Sequence, residues 1–477
     1  MSARIIEEDI LTAVECWAGQ VPVFHSASMM KDLDALERWL QRTPTLDRSA
    51  WRDRGEGPEG DRGTHLPIRL VERHVAEARA SFVNAYRRVL FDEITAAGMN
   101  ALRIEDLVSS IASAYPSLLP SADELALDAC LPLPQKVGHE LSVGLVVSAL
   151  LADPHIGSAL ERWMRLPHPE SQQRLAEYAC AGILDMSLVH MRREAGVTYI
   201  EMRTGQALNA EDNELNTTLE IAADIALLDP QTRVIVLRGG SVQNARYKGR
   251  RVFCSGVNLT KLYNGQIPLL FYIVREMGFV AKILRGLHSG REAAGASACA
   301  STEACWEKPW IAAVDTHAIG GGLQLLLVCD HVIADNGAFL SVPARAEGFI
   351  PGLANLRLPH YVGRRLANRL VYLNERIPVI SDSGALLVDS IVTPDAMDAA
   401  ISDAVGEMMQ LGTQGLVCNR RAFRQAMETP AQFVDYMAFL AREQALCMYG
   451  VEVGNNLLRM WIQRSVSTGS IEPRVSS

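Results

Sequence analysis

The sequence predicts an α/β protein whose core of strands and helices lies between two helix-rich segments. Within residues 196–395, short β-branched runs alternate with amphipathic stretches, which is typical of strands joined by helices in a largely parallel sheet. On both sides of that region, apolar residues recur at three- and four-residue spacing with few turn signals, as in packed helices. We therefore expect a helical N-terminal domain (1–195), an α/β core (196–395) and a C-terminal helical segment (396–477).

The helical part before the core is indicated by LPIRLVERHVAEARASFVNAYRRVLFDEITAAG and by LSVGLVVSALLADPHIGSALERWMRL. A polar, glycine-rich stretch, RDRGEGPEGDRG at residues 52–63, interrupts it and predicts a mobile, solvated connector. The part after the core is helical through DYMAFLAREQALCMYGVEVG, and the last residues, SVSTGSIEPRVSS, are expected to be disordered. The apolar residues of the C-terminal run exceed what one domain is expected to bury, which favours a homo-oligomer.

The elements of the core follow one another in a regular order. Residues 197–203 alternate as a strand, NAEDNELNTTLEIAADIALLD is an amphipathic helix, and TRVIVLRGG is a buried strand that ends in glycines. The pattern continues with a strand at RRVFCSG, a helix over residues 269–287, a strand at WIAAVD, a helix over 323–328 and a strand at HVIADN. Strands that alternate with helices in this way indicate a largely parallel sheet.

Composition and charge exclude several classes of protein. The chain has 477 residues, of which 48% are hydrophobic and 21% charged, as in ordinary globular proteins of two or three domains. The net charge of -9 disfavours a nucleic-acid-binding protein, because phosphate backbones require a basic face. Nine cysteines without disulfide-framework or metal-ligand spacing predict reduced thiols and no structural metal.

The sequence predicts neither a targeting segment nor a membrane span. The start, MSARIIEEDILTAVECWAG, has acids where a signal peptide needs its apolar segment. The longest apolar run, LSVGLVVSALLA, is too short to cross a bilayer. We therefore expect a cytoplasmic protein without membrane contact.

Three consecutive glycines, Gly320, Gly321 and Gly322, stand between a buried strand and a helix. The first backbone N–H groups of a helix lack intrahelical partners and point beyond the strand end, where they can stabilise an oxyanion. Tight strand–helix packing explains the glycines equally well when they are taken alone. A second glycine site, FCSGVNL around Gly256, follows another strand and offers a second donor, and two such donors can hold a thioester enolate.

Four motifs in this order and spacing resemble those of the crotonase (enoyl-CoA hydratase) superfamily. They are ALNAEDNELN, FCSGVNL, VDTHAIGGGLQLLLVCDHVIADNGAFLSVP and GFIPGLANLRLPHYVG, and the resemblance covers roughly residues 197–395. It implies a crotonase-like spiral of β-β-α repeats and an acyl-coenzyme A ligand. It also implies an oxyanion hole made by the N–H groups of Val257 and Gly321, and a homo-oligomer built as a trimer or hexamer.

The two glutamates with which hydratases of this superfamily add water to a double bond are missing. Their positions match Gln324 and Ala344 in this sequence. An amide and a methyl group cannot perform that paired proton transfer. The sequence therefore argues against hydration but leaves stabilisation of an enolate intact.

Within the superfamily the chain resembles the arylacetyl-CoA dioxygenases of glycopeptide-antibiotic biosynthesis. The likeness includes the long helical N-terminal extension, RYKGRRVFCSGVNL, IVREMGFVAKILRGL, the glutamine after the glycine turn, and EGFIPGLANLRL. It implies an aryl-CoA thioester as substrate, O2 as co-substrate, an arylglyoxylate and free coenzyme A as products, and no cofactor. The sequence agrees, since it has no HExxH, no facial-triad spacing and no GxGxxG after a strand.

The resemblance assigns roles to individual residues. Val257, Gly321 and Gln324 are assigned to catalysis. Substrate-binding positions are Glu211, Arg275, Ala207, Leu208, Asn209, Arg246, Tyr247, Lys248, Ser255, Gly256, Asn258, Gly320, Gly322 and Glu347. The backbone of residues 207–209 would border the adenine, and Glu347 is a possible substitute for the missing proton acceptor.

Simpler explanations stand beside several of these assignments. Glu211 suits the start of a helix because of the helix dipole, and Arg275 could be an exposed residue paired with a nearby acid. In ARYKGRR, Arg246, Lys248 and Arg250 could contact coenzyme A phosphates or form a solvated basic loop. His317 is expected to pack or to support other site residues rather than to act as a base.

Two other functions remain compatible with the sequence. An acyl-CoA hydrolase or isomerase would use the same oxyanion donors, and a non-catalytic acyl-CoA-binding protein would also tolerate loss of both glutamates. O2 consumption with an arylacetyl-CoA separates the dioxygenase from both.

Overall fold

The computed structural model describes residues 2–25, 28–44, 46, 66–290, 305–410 and 412–459. The expected mobile loop at residues 52–63 and the expected disordered tail at 465–477 lie outside the described residues. The chain forms two compact units. One comprises Met1–Leu160, Thr260–Leu270 and Met437–Ser477, and the other comprises Glu161–Leu259 and Phe271–Tyr436.

Helices make up most of the described chain. In chain order the α-helices are Ser2–Ala18, Met29–Leu40, Leu66–Thr95, Ile104–Ala114, Ala122–Ala129, Glu140–Leu151, Pro154–Met164, Pro169–Ala181, Asn213–Leu228, Leu259–Tyr263, Leu270–Arg275, Ala281–Arg285, Gly321–Leu326, Ala344–Glu347, Ala354–Leu373, Met397–Gln410, Thr413–Met427, Pro430–Met448 and Val451–Leu457. A π-helical turn, Glu276–Val280, joins two of them.

The strands are short. They are β1 (Ile183–Asp185), β2 (Val189–Glu194), β3 (Val197–Met202), β4 (Val234–Gly239), β5 (Leu287–His288), β6 (Cys305–Trp306), β7 (Trp310–Val314), β8 (His317–Ile319), β9 (His331–Asp335), β10 (Phe339–Ser341), β11 (Ile377–Pro378) and β12 (Ser390–Val392).

The first unit is helical, and its longest apolar run is a core helix. Ten of the 12 residues of Glu140–Leu151 are buried, which explains why LSVGLVVSALLA is apolar on all sides. Near the N-terminus, Trp17 and Trp39 stack with ring centroids 4.2 Å apart, and each indole N–H donates to the other residue's carbonyl. Among the described helices none alone is long and apolar enough to cross a bilayer, and only the bent pair Glu140–Leu151 and Pro154–Ala181 meets those criteria together.

The second unit is built on a seven-stranded sheet with the order β1-β2-β3-β4-β7-β9-β12. Neighbours from β3 to β12 are parallel, as predicted. Alternate side chains of these strands point to opposite faces. One face packs on the large core that includes Leu215 and Leu219. On the other face, Val234, Val236 and Ile311 pack against the helix Met397–Gln410.

Strands β7 to β10 show the β-β-α repeat. β7 lies in the large sheet, β8 in a three-stranded sheet of order β11-β10-β8, and the helix Gly321–Leu326 follows. β9 and β10 repeat this arrangement before the helix Ala344–Glu347. The predicted crotonase-like fold class is confirmed. Because β8 and β10 are parallel neighbours, the glycine turn and the helix Ala344–Glu347 begin at the same sheet edge.

The prediction that residues 1–195 are all helical was wrong for β1 and β2. Gly182, with φ 67°, ends the preceding helix, and β2 then forms an antiparallel hairpin with β3. Ala195 and Gly196 both have positive φ, as tight hairpin turns require. The helical periodicity of the flanking sequence concealed this short pairing.

The strand predicted at RRVFCSG is not a regular strand. Its residues form isolated bridges instead, between Ser241 and Arg251 and between Cys254 and Ala318. The segment therefore pairs with different partners along its length, and no single ladder extends through it.

Candidate active site

A cleft in the second unit gathers both glycine segments and the helix Ala344–Glu347. Its empty volume is about 560 Å³, part of which is open to solvent. The lining residues are Glu211, Ser255, Gly256, Val257, Phe271, Tyr272, Arg275, Glu276, Ile319, Gly320, Gly321, Gln324, Pro343, Ala344, Glu347, Phe349, Ile350, Pro351 and Gly352. A mainly apolar cleft into which a few polar groups converge is typical of a small-molecule site.

The backbone of Glu211 sets the direction of the Val257 N–H. The Glu211 N–H donates to the Gly256 carbonyl at 2.7 Å, and the Asn258 N–H donates to the Glu211 carbonyl at 2.8 Å. In such a parallel bridge the N–H of the central residue points away from the partner strand. The Val257 N–H is therefore directed away from Glu211.

The backbone of the glycine turn, residues 319–321, lies very close to the backbone at Gly256. A Cβ atom on Gly256 would lie 3.2 Å from the Gly321 nitrogen and 2.9 Å from the Ile319 carbonyl oxygen, so only glycine fits there. Gly320 takes φ 54° and ψ −114°, a conformation that glycine tolerates best, and so starts the helix Gly321–Leu326. Among the described residues, neither the Val257 nor the Gly321 N–H donates to a protein acceptor. Both are available to an oxygen atom of a ligand.

Arg275 is the centre of a buried polar cluster beneath the glycine turn. Its Nη2 donates to Glu211 Oε1 and to the Gly321 carbonyl, both at 2.9 Å, and its Nε also donates to Glu211. Its Nη1 donates to Glu276 Oε1 at 2.7 Å and to Gln324 Oε1 at 2.9 Å. Burial lowers the pKa of the guanidinium, but Glu211 and Glu276 outweigh that effect and raise it, so Arg275 stays charged.

Two consecutive residues, Arg275 and Glu276, join this cluster where the helix passes into a π-helical turn. Side chains of neighbouring residues in a regular α-helix point about 100° apart. The turn Glu276–Val280 begins directly after Arg275, and Gly278 leaves the helical conformation with φ −87° and ψ −112°. Such insertions often occur at functional sites.

The cluster explains why residue 324 is a glutamine rather than an acid. Arg275 already carries two carboxylates, and Gln324 adds a neutral oxygen acceptor to its remaining donor. A third carboxylate in a place where Arg275 and Gln324 are only 4% and 7% exposed would leave an uncompensated buried charge. The Gln324 amide nitrogen makes no hydrogen bond within the described residues, and Gln324 lines the cleft.

Further ion pairs connect Glu276 of this cluster to other buried charged residues of the second unit. Arg357 lies 3.4 Å from the second oxygen of Glu276 and 2.7 Å from Glu428, which also accepts from Arg285 at 2.7 Å. Burial raises the pKa of Glu428, but Arg357 and Arg285 outweigh it and lower the pKa to about 2. Charges thus alternate from Glu211 to Arg285.

Ser255 and His317 form a hydrogen-bonded pair near the glycine segments. Ser255 Oγ lies 2.9 Å from His317 Nε2, and the ring packs between Tyr247 and Phe339 with centroid distances of 5.4 Å and 5.3 Å. Burial, together with Arg376 and two other arginines, lowers the pKa of His317 to about 4. The imidazole is therefore neutral, and its Nδ1 has no hydrogen-bond partner among the described residues.

Glu347 lies at the cleft on the helix Ala344–Glu347. Its side chain is half-buried and forms no hydrogen bond or ion pair with the described residues. Burial raises the pKa of its carboxyl group to about 7.

The structure brings nine of the assigned residues to the cleft and leaves the others outside its lining. The nine are Glu211, Ser255, Gly256, Val257, Arg275, Gly320, Gly321, Gln324 and Glu347. Gly322 packs on Cys254, and the Asn258 N–H donates to the Glu211 carbonyl. Asn209 is buried and bonds Thr204 and Val252, with Leu208 and Ala207 just before it.

The basic stretch lies on the surface. Arg246, Lys248 and Arg250 are exposed, and the Arg246 guanidinium lies 5.3 Å from the centre of the Tyr247 ring. Sequence reasoning missed Arg376, whose guanidinium lies 4.7 Å from the centre of the Phe339 ring. Arg376 also lowers the pKa of His317, together with burial and with Arg246 and Arg250. No sequence signal connects it to residues 246–250.

Glu276 and the aromatic lining of Phe271, Tyr272 and Phe349 were also missed. Glu276 follows Arg275 directly, at the start of the π-helical turn, and no motif in the sequence singled it out. The motif EGFIPG, which contains Phe349, was the available signal for the second part of the lining. Among the described residues, no group of three or more His, Cys, Asp or Glu side chains is arranged to hold a metal ion.

Residues 301–444 match the family model described as enoyl-CoA hydratase/isomerase. The chain is 40% identical to the (3,5-dihydroxyphenyl)acetyl-CoA 1,2-dioxygenase of Amycolatopsis orientalis, over 80% of this chain and 85% of that protein. It is 26% identical to a crotonyl-CoA hydratase of Syntrophomonas wolfei, over 50% of this chain and 82% of the hydratase. A solved enoyl-CoA hydratase from Mycobacterium avium subsp. paratuberculosis aligns over 61% of this chain and all of its own, with 19% identity and a TM-score of 0.45.

Proposed function

This chain belongs to the enoyl-CoA hydratase/isomerase family, the crotonases, and we propose that within it the protein is a cofactor-independent dioxygenase of an arylacetyl-CoA. The observation that carries this proposal is the composition of the cleft. Two free backbone N–H donors remain, while neither position that hydratases use for an acid holds one, because they are Gln324 and Ala344. The cleft is therefore suited to hold an enolate and not to add water.

The reaction begins with loss of the α-proton. The thioester oxygen of the resulting enolate accepts hydrogen bonds from Val257 and Gly321, and each such donor contributes on the order of 3 kcal/mol to stabilising the charge. The α-carbon then bonds to one oxygen atom of O2, and the other oxygen atom bonds to the thioester carbon as the C–S bond breaks. Cleavage of the O–O bond with loss of the second α-hydrogen as a proton completes the reaction, so that arylacetyl-CoA plus O2 gives an arylglyoxylic acid plus free coenzyme A. Apolar side chains such as Ile319, Phe349 and Ile350 limit competition from water.

The acyl group is proposed to be (3,5-dihydroxyphenyl)acetyl, after the substrate in the name of the Amycolatopsis relative. Phe271, Tyr272 and Phe349 offer aromatic surfaces to the ring, and Glu211, Arg275 and Gln324 offer polar contacts. Arg246, Lys248 and Arg250 would contact phosphates of coenzyme A, and the backbone of residues 207–209 would border its adenine. We further propose that the enzyme is cytoplasmic and needs neither metal nor flavin.

A second candidate, an acyl-CoA hydrolase, is favoured by the Ser255–His317 pair beside the oxyanion donors. Two features make it the weaker candidate. His317 has a pKa lowered to about 4 by burial and nearby arginines, and within the described residues its Nδ1 has no carboxylate partner of the kind that orients a catalytic imidazole.

The test measures O2 uptake, free thiol and arylglyoxylate with (3,5-dihydroxyphenyl)acetyl-CoA, in air and under strict anaerobiosis. A dioxygenase consumes O2 and forms both products in equal amounts in air, and releases no thiol without O2. Equal thiol release under both conditions, lost in Ser255→Ala, would instead establish the hydrolase. Binding without any product would identify a non-catalytic acyl-CoA-binding protein.

The same assay after exhaustive chelation checks the absence of a metal cofactor. We expect O2 uptake to be unchanged within error. Activity that is lost with the chelator and restored by one specific metal ion would contradict the cofactor-free reaction.

A further inference from the structure

The proposed reaction needs a group that takes the α-proton, and most candidates near the cleft are already engaged. Glu211 and Glu276 both accept hydrogen bonds from Arg275. The Cys254 thiol bonds Glu211, and burial, followed by Glu211, raises its pKa. His317 lies outside the lining of the cleft and bonds Ser255.

Glu347 differs from these groups in both position and bonding. It lies in the same short helix as Ala344, three residues further on. Residues three apart lie on one face of a helix, and the cleft is lined by Ala344 and Glu347 but not by Arg345 and Ala346 between them. The carboxylate missing at position 344 is thus present one turn later, on the same face.

We propose that Glu347 is the catalytic base that removes the α-proton of the bound arylacetyl thioester; this role rests on the proposed function. The step breaks one C–H bond at the α-carbon and forms one O–H bond at Glu347. The electron pair stays on the substrate and spreads to the thioester oxygen between the N–H groups of Val257 and Gly321. The negative charge moves from the carboxylate to the enolate, and no oxidant takes part in this step.

The electrostatic surroundings suit this exchange of charge. The charged groups that share the cleft with Glu347 are Glu211, Arg275 and Glu276. Arg275 pairs with both carboxylates, and Arg357, outside the lining, also pairs with Glu276. Arg345, on the same helix, is exposed and donates to the Tyr372 carbonyl. Because burial raises the pKa of Glu347 to about 7, the group can hold a proton and release it near neutral pH.

The test follows exchange of the α-hydrogens of phenylacetyl-CoA for deuterium in heavy water without O2, by mass spectrometry. We expect Glu347→Gln to slow this exchange at least about a hundredfold, the smaller effect typical of general base removal. The wild-type rate should fall as the pH is lowered below about 7, and this fall should be absent in the variant. Benzoyl-CoA, which has no α-hydrogen, should bind both proteins alike and so checks that the variant is folded.

Asp382→Asn removes an exposed carboxylate and should exchange like the wild type. Exchange in Glu347→Gln at the wild-type rate would overturn the role of Glu347 and leave the dioxygenase proposal intact. Wild-type exchange that depends on Glu347, without O2 uptake once air is admitted, would support the base and refute the dioxygenase. A wild type that neither exchanges hydrogen nor consumes O2 would refute both.

Discussion

At the scale of single residues, the cleft contains two kinds of carboxylate, those paired with an arginine and one that is unpaired among the described residues. Arg275 and Arg357 together balance Glu211 and Glu276, while Gln324 contributes an oxygen without charge. Glu347 has no such balancing cation among the described residues. The paired carboxylates around Arg275 stabilise the folded state, whereas the unpaired carboxylate of Glu347 destabilises it when charged. Adding a charge at the first place and removing one at the second should therefore change stability in opposite directions.

We expect Gln324→Glu to lower stability by about 1–3 kcal/mol and to abolish most O2 uptake, since it adds a third carboxylate around one guanidinium. It should gain little hydratase activity, because Ala344 carries no acid and Glu347, three residues further along the helix, does not occupy that position. Gln324→Met, similar in length but uncharged, should lower turnover roughly ten- to a hundredfold without the charge effect. Urea unfolding and O2 uptake measure both, and full activity in both variants would remove Gln324 from the site.

Glu347→Gln should make the protein more stable at about pH 8. The folded-state pKa of this carboxyl is about 7, above its ordinary value of 4.5, so its stabilising contribution is complete below 4.5 and is lost as the pH rises through 7. The expected gain is ~1–3 kcal/mol in the free energy of unfolding at about pH 8, narrowing towards pH 4.5. Urea titrations at the two pH values test this, with Asp382→Asn as the unchanged control.

At the scale of elements, a row of buried ion pairs connects five segments of the second unit. It runs from Glu211 through Arg275, Glu276, Arg357 and Glu428 to Arg285, with signs that alternate. Removing one member leaves its neighbours buried and unpaired, which costs far more than the net stabilisation by the pair. Glu211, Arg275 and Glu276 of this row also line the cleft, so the row fixes the positions of those three side chains.

We expect Glu428→Gln to lower the free energy of unfolding by about 3–5 kcal/mol near neutral pH. The matched control is Glu375→Gln in the exposed pair Arg369–Glu375, which should cost no more than about 1 kcal/mol. Because the pKa of Glu428 is lowered to about 2, its contribution is present above 4.5 and is lost as the pH falls towards 2. Equal losses in the two variants would contradict a structural role for the row.

At the scale of the whole molecule, the apolar C-terminal run is less available for assembly than its sequence suggested. Phe433, Met437, Leu440 and Ala445 are all buried within the chain, whereas Phe439 remains 53% exposed. Other apolar side chains are open to solvent in the second unit, with Leu373 and Ile380 each 71% exposed. We therefore expect the self-association surface there and not in the C-terminal run.

We expect a mass of three or six times 52.3 kDa by light scattering at micromolar concentration. The double variant Leu373→Glu with Ile380→Glu should shift that mass towards the monomer, because it places charges on an apolar surface that association would bury. Met99→Glu, at a residue 82% exposed in the first unit, should leave the mass unchanged. A monomeric wild type would refute the oligomer.

The sequence by itself determined the features that depend on local signals. Alternation located β3, β4, β7 and β9, and the glycine turn was recognised because few other residues tolerate the backbone at Gly320. The family likeness, carried by short motifs, added the fold class. Local signals failed at β1, β2 and residues 250–256, where pairing partners and not side-chain periodicity decide the conformation.

Only the tertiary structure decided how the polar residues of the cleft are paired. Arg275 meets Glu211 and Gln324 across 64 and 49 residues of chain, and Glu276 joins them as a further acceptor for Arg275. The unpaired state of Glu347 and the burial that raises its pKa are likewise set by surrounding segments. Charge pairing and burial are properties of distances in space, and a linear pattern of residues does not contain those distances.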